Sequence, residues 1–151
     1  MGYFKKNFFT YLGLVLALIG LIDSYYITTS LEKNSLRCDL NGFNCINILT
    51  SQYGKFLGIP LSIWGIIYYL TLTILFLLLL FKYFKYLNKV LTGLIISGFI
   101  VSFVLLVIQT FILKSFCSYC LASDFTNIVL LVLLILYNLF NKNLIKDKKD
   151  K

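Results

Sequence analysis

Four long apolar stretches dominate the chain and leave it few possible folds. They fall at residues 8–27, 59–81, 90–113 and 118–140. Each approaches or exceeds the ~20 residues that a helix needs to cross the hydrocarbon of a bilayer. No charge interrupts the chain between Phe56 and Phe81. In lipid the backbone must satisfy its own hydrogen bonds, and runs of this length do so as helices. Composition agrees: of 151 residues, 60% are apolar and 13% charged, where a soluble domain carries about a quarter charged. So little polar surface excludes a soluble enzyme and a disordered chain. The expected fold is an all-α integral membrane protein, a single four-transmembrane-helix bundle. The first run is too long for a signal peptide, and no small-x-small site follows it.

The basic residues set the orientation. Ten lie on one side of the predicted spans: Lys5, Lys6, Lys82, Lys85, Lys89, Lys142, Lys146, Lys148, Lys149 and Lys151. Four lie on the other: Lys33, Arg37, Lys55 and Lys114. The richer side is expected to be cytoplasmic. This predicts a multi-pass cytoplasmic (inner) membrane protein with both termini inside, an outer loop over 28–58, and a solvated cytoplasmic tail over 141–151. The +8 net charge is then a matter of topology, not of nucleic-acid binding. Pro60, the only proline, is expected in the first turn of the second span, where its missing N–H costs nothing. Residues 46–49 suggest a short helix at the interface.

The inventory narrows the chemistry. Histidine is absent, which excludes His-based metal sites, Ser-His-Asp triads and Cys-His dyads. No phosphate-binding glycine loop is present. What remains is four cysteines: Cys38, Cys45, Cys117 and Cys120. The predicted topology puts all four on the oxidising side of the membrane. Cys117 and Cys120 form a CxxC at the head of the fourth helix, on one helix face. Unpaired N–H groups and the helix dipole there favour a thiolate on Cys117, and hence a good nucleophile or leaving group. Three readings compete. Static disulfides explain the even count, but a CxxC bridge gains little loop-closure entropy. A Cys₄ zinc site needs a half-site tighter than Cys38-x₆-Cys45. A thiol–disulfide relay needs only two dithiols that can exchange through mixed disulfides, and it suits a path from a soluble thiol donor to a lipid-soluble acceptor. The relay is the reading taken, with no metal expected.

The motifs Cys38-x₆-Cys45, Ser51-Gln52-Tyr53-Gly54-x₃-Gly58-Ile59-Pro60-Leu61-Ser62-x₂-Gly65 and Cys117-x₂-Cys120 resemble the vitamin K epoxide reductase (VKOR) family in its short prokaryotic form. The likeness runs from the first span through the fourth. In the similar DsbB-type proteins the CxxC comes in the first outer loop; here it comes last. The resemblance implies an outer loop capping the active site. It implies that Cys120 faces and reduces a quinone, that Cys45 exchanges with Cys117, and that Cys38 meets an external thiol donor. It implies that Ser51 hydrogen-bonds a quinone oxygen, where a hydroxyl can stabilise developing negative charge. The implied partner is a thioredoxin-fold, DsbA-like protein. With only eleven residues after Phe140, that partner is expected to be a separate chain. The implied acceptor is ubiquinone or menaquinone, and the implied activity is a disulfide-forming thiol:quinone oxidoreductase. Alternatives are a quinone or vitamin K epoxide reductase, or a non-catalytic protein with structural disulfides. The animal vitamin K enzymes carry Asn before the second-helix Ser and Tyr four residues after the CxxC. Leu61 and Asp124 stand there in this chain, which counts against epoxide reduction and leaves quinone reduction intact.

Further candidates follow from cost and position. Asp124, one turn beyond Cys120, is read as a quinone-side proton relay, because ionisable groups inside a span are expensive. Asp23, near the outer end of the first span, is read as snorkelling to the interface or bonding across helices. Trp64, Tyr68, Tyr69, Phe111 and Phe116 are candidates to line a quinone pocket, with Trp64 the quinone-binding choice. Gln109 is expected to bond across the bundle. Gly13, Gly20, Gly93, Gly98 and Ser97 are expected where helices pack closely.

Overall fold

A computed structural model describes residues 2–33, 49, 51–81, 85–114 and 117–147. Cys38, Cys45 and Phe116, together with 46–48 of the expected interfacial helix, lie outside the described residues.

The four expected spans are four helices: α1 (Gly2–Glu32), α2 (Leu61–Phe81), α3 (Lys85–Val107) and α4 (Ser118–Asp147). All four are long and apolar enough to cross a membrane. The first runs past the expected end at residue 27. The reason is local: Thr28 donates its hydroxyl to the Ser24 carbonyl at 2.9 Å, and Thr29 to Tyr25 at 3.1 Å, so polar side chains fold back on the helix instead of ending it. The fourth likewise continues helical through 141–147, part of the expected tail. Hydropathy locates the membrane, whereas helix geometry continues wherever the backbone bonds do.

Between α1 and α2 the chain makes a 3₁₀ turn (Gln52–Gly54) and a two-residue hairpin, β1 (Lys55–Phe56) and β2 (Ile59–Pro60). Lys55 pairs with Pro60 and Phe56 with Ile59. The tip residues Leu57 and Gly58 have φ of 54° and 80°, the left-handed pair that a type I′ turn requires. Pro60 is therefore the last strand residue, one place before the helix and not within its first turn. Trp64 pins the hairpin to α2. Its Nε1–H donates to the Phe56 carbonyl at 3.4 Å, and the two rings meet edge to face at 5.9 Å.

The helices form a ring in which α1 packs on α2 and α4, and α3 packs on α4 and α2. Ala17, Tyr69, Leu72, Phe76, Leu91, Ile95, Leu130 and Leu134 make the main core of the bundle. Small residues set the spacing. A Cβ on Gly13 would meet the Phe76 ring at 2.5 Å, one on Gly65 would meet Ser24 Oγ at 2.8 Å, and Gly20 and Gly98 face the Tyr69 and Tyr68 rings. Gly93 departs from the expectation, since open space surrounds the position of its missing Cβ. The surface is inverted relative to a soluble protein. Ile22, Phe81, Phe103 and Phe125 are exposed, while Ser62, Ser102, Gln109, Asp124 and Asn127 are buried. An apolar exterior around polar interior residues is the arrangement that lipid selects.

Candidate functional site

Cys117 is the N-cap of α4. Its carbonyl accepts the Leu121 N–H at 3.0 Å, and its sulfur accepts the Cys120 N–H at 3.3 Å. That is the bond a Ser or Asp side chain usually supplies at a helix start. The thiol is fully buried against Ile27 and Leu49, with Leu31, Leu113, Tyr119 and Cys120 around it. Tyr119 packs on Tyr26 with ring centroids 5.4 Å apart. The Cys117 thiol is held below its ordinary pKa, chiefly by the hydrogen bond from the Cys120 thiol. Burial opposes this, and the N–H groups of Cys120 and Tyr119 add to it. Thiolate character at a helix head is what thiol exchange needs.

Cys120 faces elsewhere. It lines a cavity of about 310 Å³ whose walls come from all four helices and from Leu49, Tyr53 and Gly54. Cys117 is not among the lining residues. The CxxC thus divides its two sulfurs: one lies in an apolar cluster beside Leu49, the other opens into the cavity. The volume falls at the lower end of the 300–1,000 Å³ range of small-molecule sites, and the mostly apolar lining is typical of them.

Asp124 lies one turn below Cys120 on the same face of α4 and is 6% exposed. A hydrogen bond joins it to Ser102 on α3. Ser102 accepts the Asn127 Nδ2–H at 2.7 Å, and Asn127 Oδ1 accepts the Tyr68 hydroxyl at 3.2 Å. Tyr69 reaches Ser123, donating to its carbonyl at 3.1 Å and sharing a bond with its hydroxyl at 2.9 Å. Three helices are tied by this polar chain, which holds Asp124 in place. Three side-chain atoms on cavity-lining residues have no hydrogen-bond partner among the described residues: Ser62 Oγ, Gln109 Oε1 and Asp124 Oδ2. Asp23 Oδ2 shares that condition. Leaving such an atom unpaired costs about 1–3 kcal/mol.

Gln109 belongs to a π-helical segment, Ile108–Leu113, that ends α3. Lys114, in the left-handed region at φ 47°, closes it by donating its N–H to the Gln109 carbonyl. Such segments recur at functional sites, and nothing in the hydropathy pattern marks this one.

The expected site residues divide as follows. Cys120, Asp124, Trp64, Tyr68 and Tyr69 all line the cavity. Phe111 points out of the bundle, 73% exposed. Ser51 precedes the 3₁₀ turn, where its carbonyl accepts the Gly54 N–H; Tyr53 and Gly54 line the cavity, and Ser51 itself is not among the lining residues. The expected bond from Gln109 across the bundle is missing at its Oε1. Ser62 and Ser102 were not singled out as site residues. A hydroxyl inside an apolar run is a weak signal by itself, and only the fold gathers them beside Cys120. No cluster of three metal-ligating side chains occurs among the described residues.

A four-helix membrane bundle with a CxxC at a helix head, opening into an apolar cavity, is the architecture of a membrane oxidoreductase. The model of the Vitamin K epoxide reductase family matches residues 11–135, and the chain belongs to that family. It is therefore a multi-pass membrane oxidoreductase of a family that works with quinones. No curated protein matches the chain.

Proposed function

We propose that the protein is a thiol:quinone oxidoreductase that sustains disulfide formation outside the cytoplasm. The observation that carries this reading is the division of the CxxC. Cys117 lies beside Leu49, in the stretch between α1 and α2 that also carries Cys38 and Cys45. Cys120 opens into the cavity with Asp124 below it. In this reading a separate thioredoxin-fold, DsbA-like dithiol reduces a Cys38–Cys45 disulfide and is itself oxidised. The Cys45 thiolate then attacks Cys117 in a Cys117–Cys120 disulfide and releases Cys120 as thiolate. Cys38 closes back on Cys45. Cys120 delivers the electron pair to the acceptor while Cys117 reforms the bond to Cys120, and Asp124 supplies a proton at the ring oxygen. The quinone, when bound, takes up two electrons and two protons as quinol, so the sum is dithiol plus quinone to disulfide plus quinol. Ubiquinone and menaquinone both fit this scheme. Ser51 remains a proposed hydrogen-bond donor at the cavity mouth, and Trp64 a proposed wall of the ring site.

The distribution of basic residues supports an inner-membrane orientation with both termini cytoplasmic and the cysteines outside. The test is quinone reduction by purified protein, driven by a reduced thioredoxin-fold partner. Wild type is expected to turn over and Cys120→Ala is not. Absence of turnover with both benzoquinone and naphthoquinone analogues would leave the cysteines as structural and end this reading.

A further inference from the structure

The polar groups of the cavity form two sets. Tyr68, Asn127 and Ser102 bond one another, and Tyr69 bonds Ser123. Gln109, like Ser62, belongs to neither network. It is 4% exposed, lines the cavity, and its Oε1 has no partner among the described residues. A buried amide in that condition costs about 1–3 kcal/mol until something pairs with it. The open volume beside it is the cavity that Cys120 also lines.

Its place in the fold adds a second argument. Gln109 is the second residue of the π segment, and Lys114 N–H closes that segment on the Gln109 carbonyl. The irregular turn fixes the Gln109 backbone independently of its side chain, so the amide is free to serve another bond. Asp124 stands on α4 and Gln109 on α3, both about two turns or less from the cysteine end of the bundle. Both line the same cavity from different helices, and a flat ring with polar atoms on opposite edges needs a partner at each edge.

We infer that Gln109 positions the acceptor ring in the cavity by hydrogen-bonding the ring oxygen remote from Cys120. This rests on the quinone reading above and adds a specificity determinant to it. The chemistry suits an amide, which carries both donors and an acceptor. A quinone oxygen only accepts hydrogen bonds. After reduction, in which Cys117 and Cys120 lose two electrons and two protons reach the ring, the same oxygen is a hydroxyl that donates. The terminal torsion of Gln is soft and roughly two-fold. Half a turn exchanges its Nε2–H donors for its Oε1 acceptor. Gln109 therefore keeps a bond to the ring in both oxidation states, which an apolar side chain, or one that only donates or only accepts, cannot do.

The chain holds one tryptophan, and Trp64 lines the same cavity, so its emission reports occupancy directly. The probe is duroquinone, titrated into the disulfide form of the full chain in detergent. The control competitor is durene, the same methylated ring without the two carbonyl oxygens. Gln109→Met keeps the length of the side chain and removes its polar atoms. The expected result is about a tenfold weaker duroquinone affinity in Gln109→Met, the loss of one hydrogen bond, with durene affinity unchanged. Equal duroquinone affinity in the two proteins overturns the assignment of Gln109, as does an equal loss for durene, which would mean a disturbed cavity. A folding defect is separated by Gln109→Asn, whose shorter amide is expected to recover part of the duroquinone affinity; no recovery, with an unaltered unfolding temperature, also counts against the proposal. If duroquinone fails to quench Trp64 in wild type, the quinone reading of this cavity fails along with it.

Discussion

The backbone N–H of Cys120 is hydrogen-bonded to the sulfur of Cys117 across 3.3 Å, so the first sulfur of the CxxC also closes the first turn of the helix that carries it. Structure and chemistry share one atom there. Ser caps helices as well as Asp or Asn does, and Ala does not. Cys117→Ser should therefore keep the thermal stability of the reduced protein within a few tenths of a kcal/mol, whereas Cys117→Ala should cost about 1 kcal/mol or more. Thermal unfolding in detergent separates the two, and both variants should be inactive. Equal stability would show that the sulfur contributes nothing as a cap.

The same pair sets a pH dependence. The Cys120 thiol is the main cause of the lowered Cys117 pKa, so removing it should raise that pKa. In a Cys38→Ser/Cys45→Ser background, Cys120→Ala should shift the midpoint of thiolate absorbance to higher pH. The linkage has a definite sign. An acid whose pKa is lower in the folded state adds stability that is full above its unfolded value and is lost as pH falls through the folded value. The reduced protein should therefore gain stability relative to Cys117→Ser as pH rises toward the ordinary thiol range, about 8.5, and an opposite trend would contradict the assignment.

Asp124 is held by Ser102 and, through it, by Asn127 and Tyr68. Asp124→Asn preserves the shape and removes the transferable proton. Quinone turnover should fall by roughly 10²-fold or more in kcat, the usual contribution of a positioned acid, with KM little changed. Undiminished kcat across pH would assign Asp124 a purely structural part.

Two glycines on one helix give a controlled comparison. Gly98 lies against the Tyr68 hydroxyl, and Gly93 faces open space. Gly98→Ala should displace Tyr68, break its bond to Asn127 and destabilise the protein by about 1–3 kcal/mol. Gly93→Ala should stabilise it by up to about 1 kcal/mol through helix propensity alone. Paired unfolding measurements would show whether packing or propensity dominates in α3.

Leu57 adopts φ 54° at the hairpin tip with its side chain 79% exposed. A bulky residue there stores strain that packing does not repay. Leu57→Gly should raise stability by a few tenths to 1 kcal/mol without loss of turnover; a loss of stability would mean that the exposed Leu57 side chain makes a stabilising contact.

The parts of this architecture that depend on one-dimensional signals were readable in the chain. Apolar runs fix the spans because the bilayer imposes a length. The CxxC, the Gly-Ile-Pro-Leu-Ser run that leads from the hairpin into α2 and the carboxyl at Asp124 are local patterns, and the helices and cavity wall follow them. What escaped was set by three-dimensional convergence. Ser62 and Ser102 look like ordinary hydroxyls in apolar helices until the bundle places them beside Cys120. Gly13, Gly20 and Gly98 were expected to pack and do, but Gly93 differs from them only in the face it presents, and small-residue composition carries no phase. The π segment at Ile108–Leu113 and the left-handed Lys114 come from how α3 must end above the cavity, which hydropathy does not encode.

The cavity walls are drawn from all four helices, and the polar chain through Tyr68, Asn127 and Ser102 joins the last helix to the two before it. Asp124 and Asn127 are costly passengers for a helix entering lipid alone. Their partners lie on segments synthesised earlier, so α4 meets its hydrogen bonds on arrival. During biogenesis the CxxC and the cavity that Cys120 lines come into being together, with the final helix, and a partly inserted chain has a CxxC without a cavity behind it.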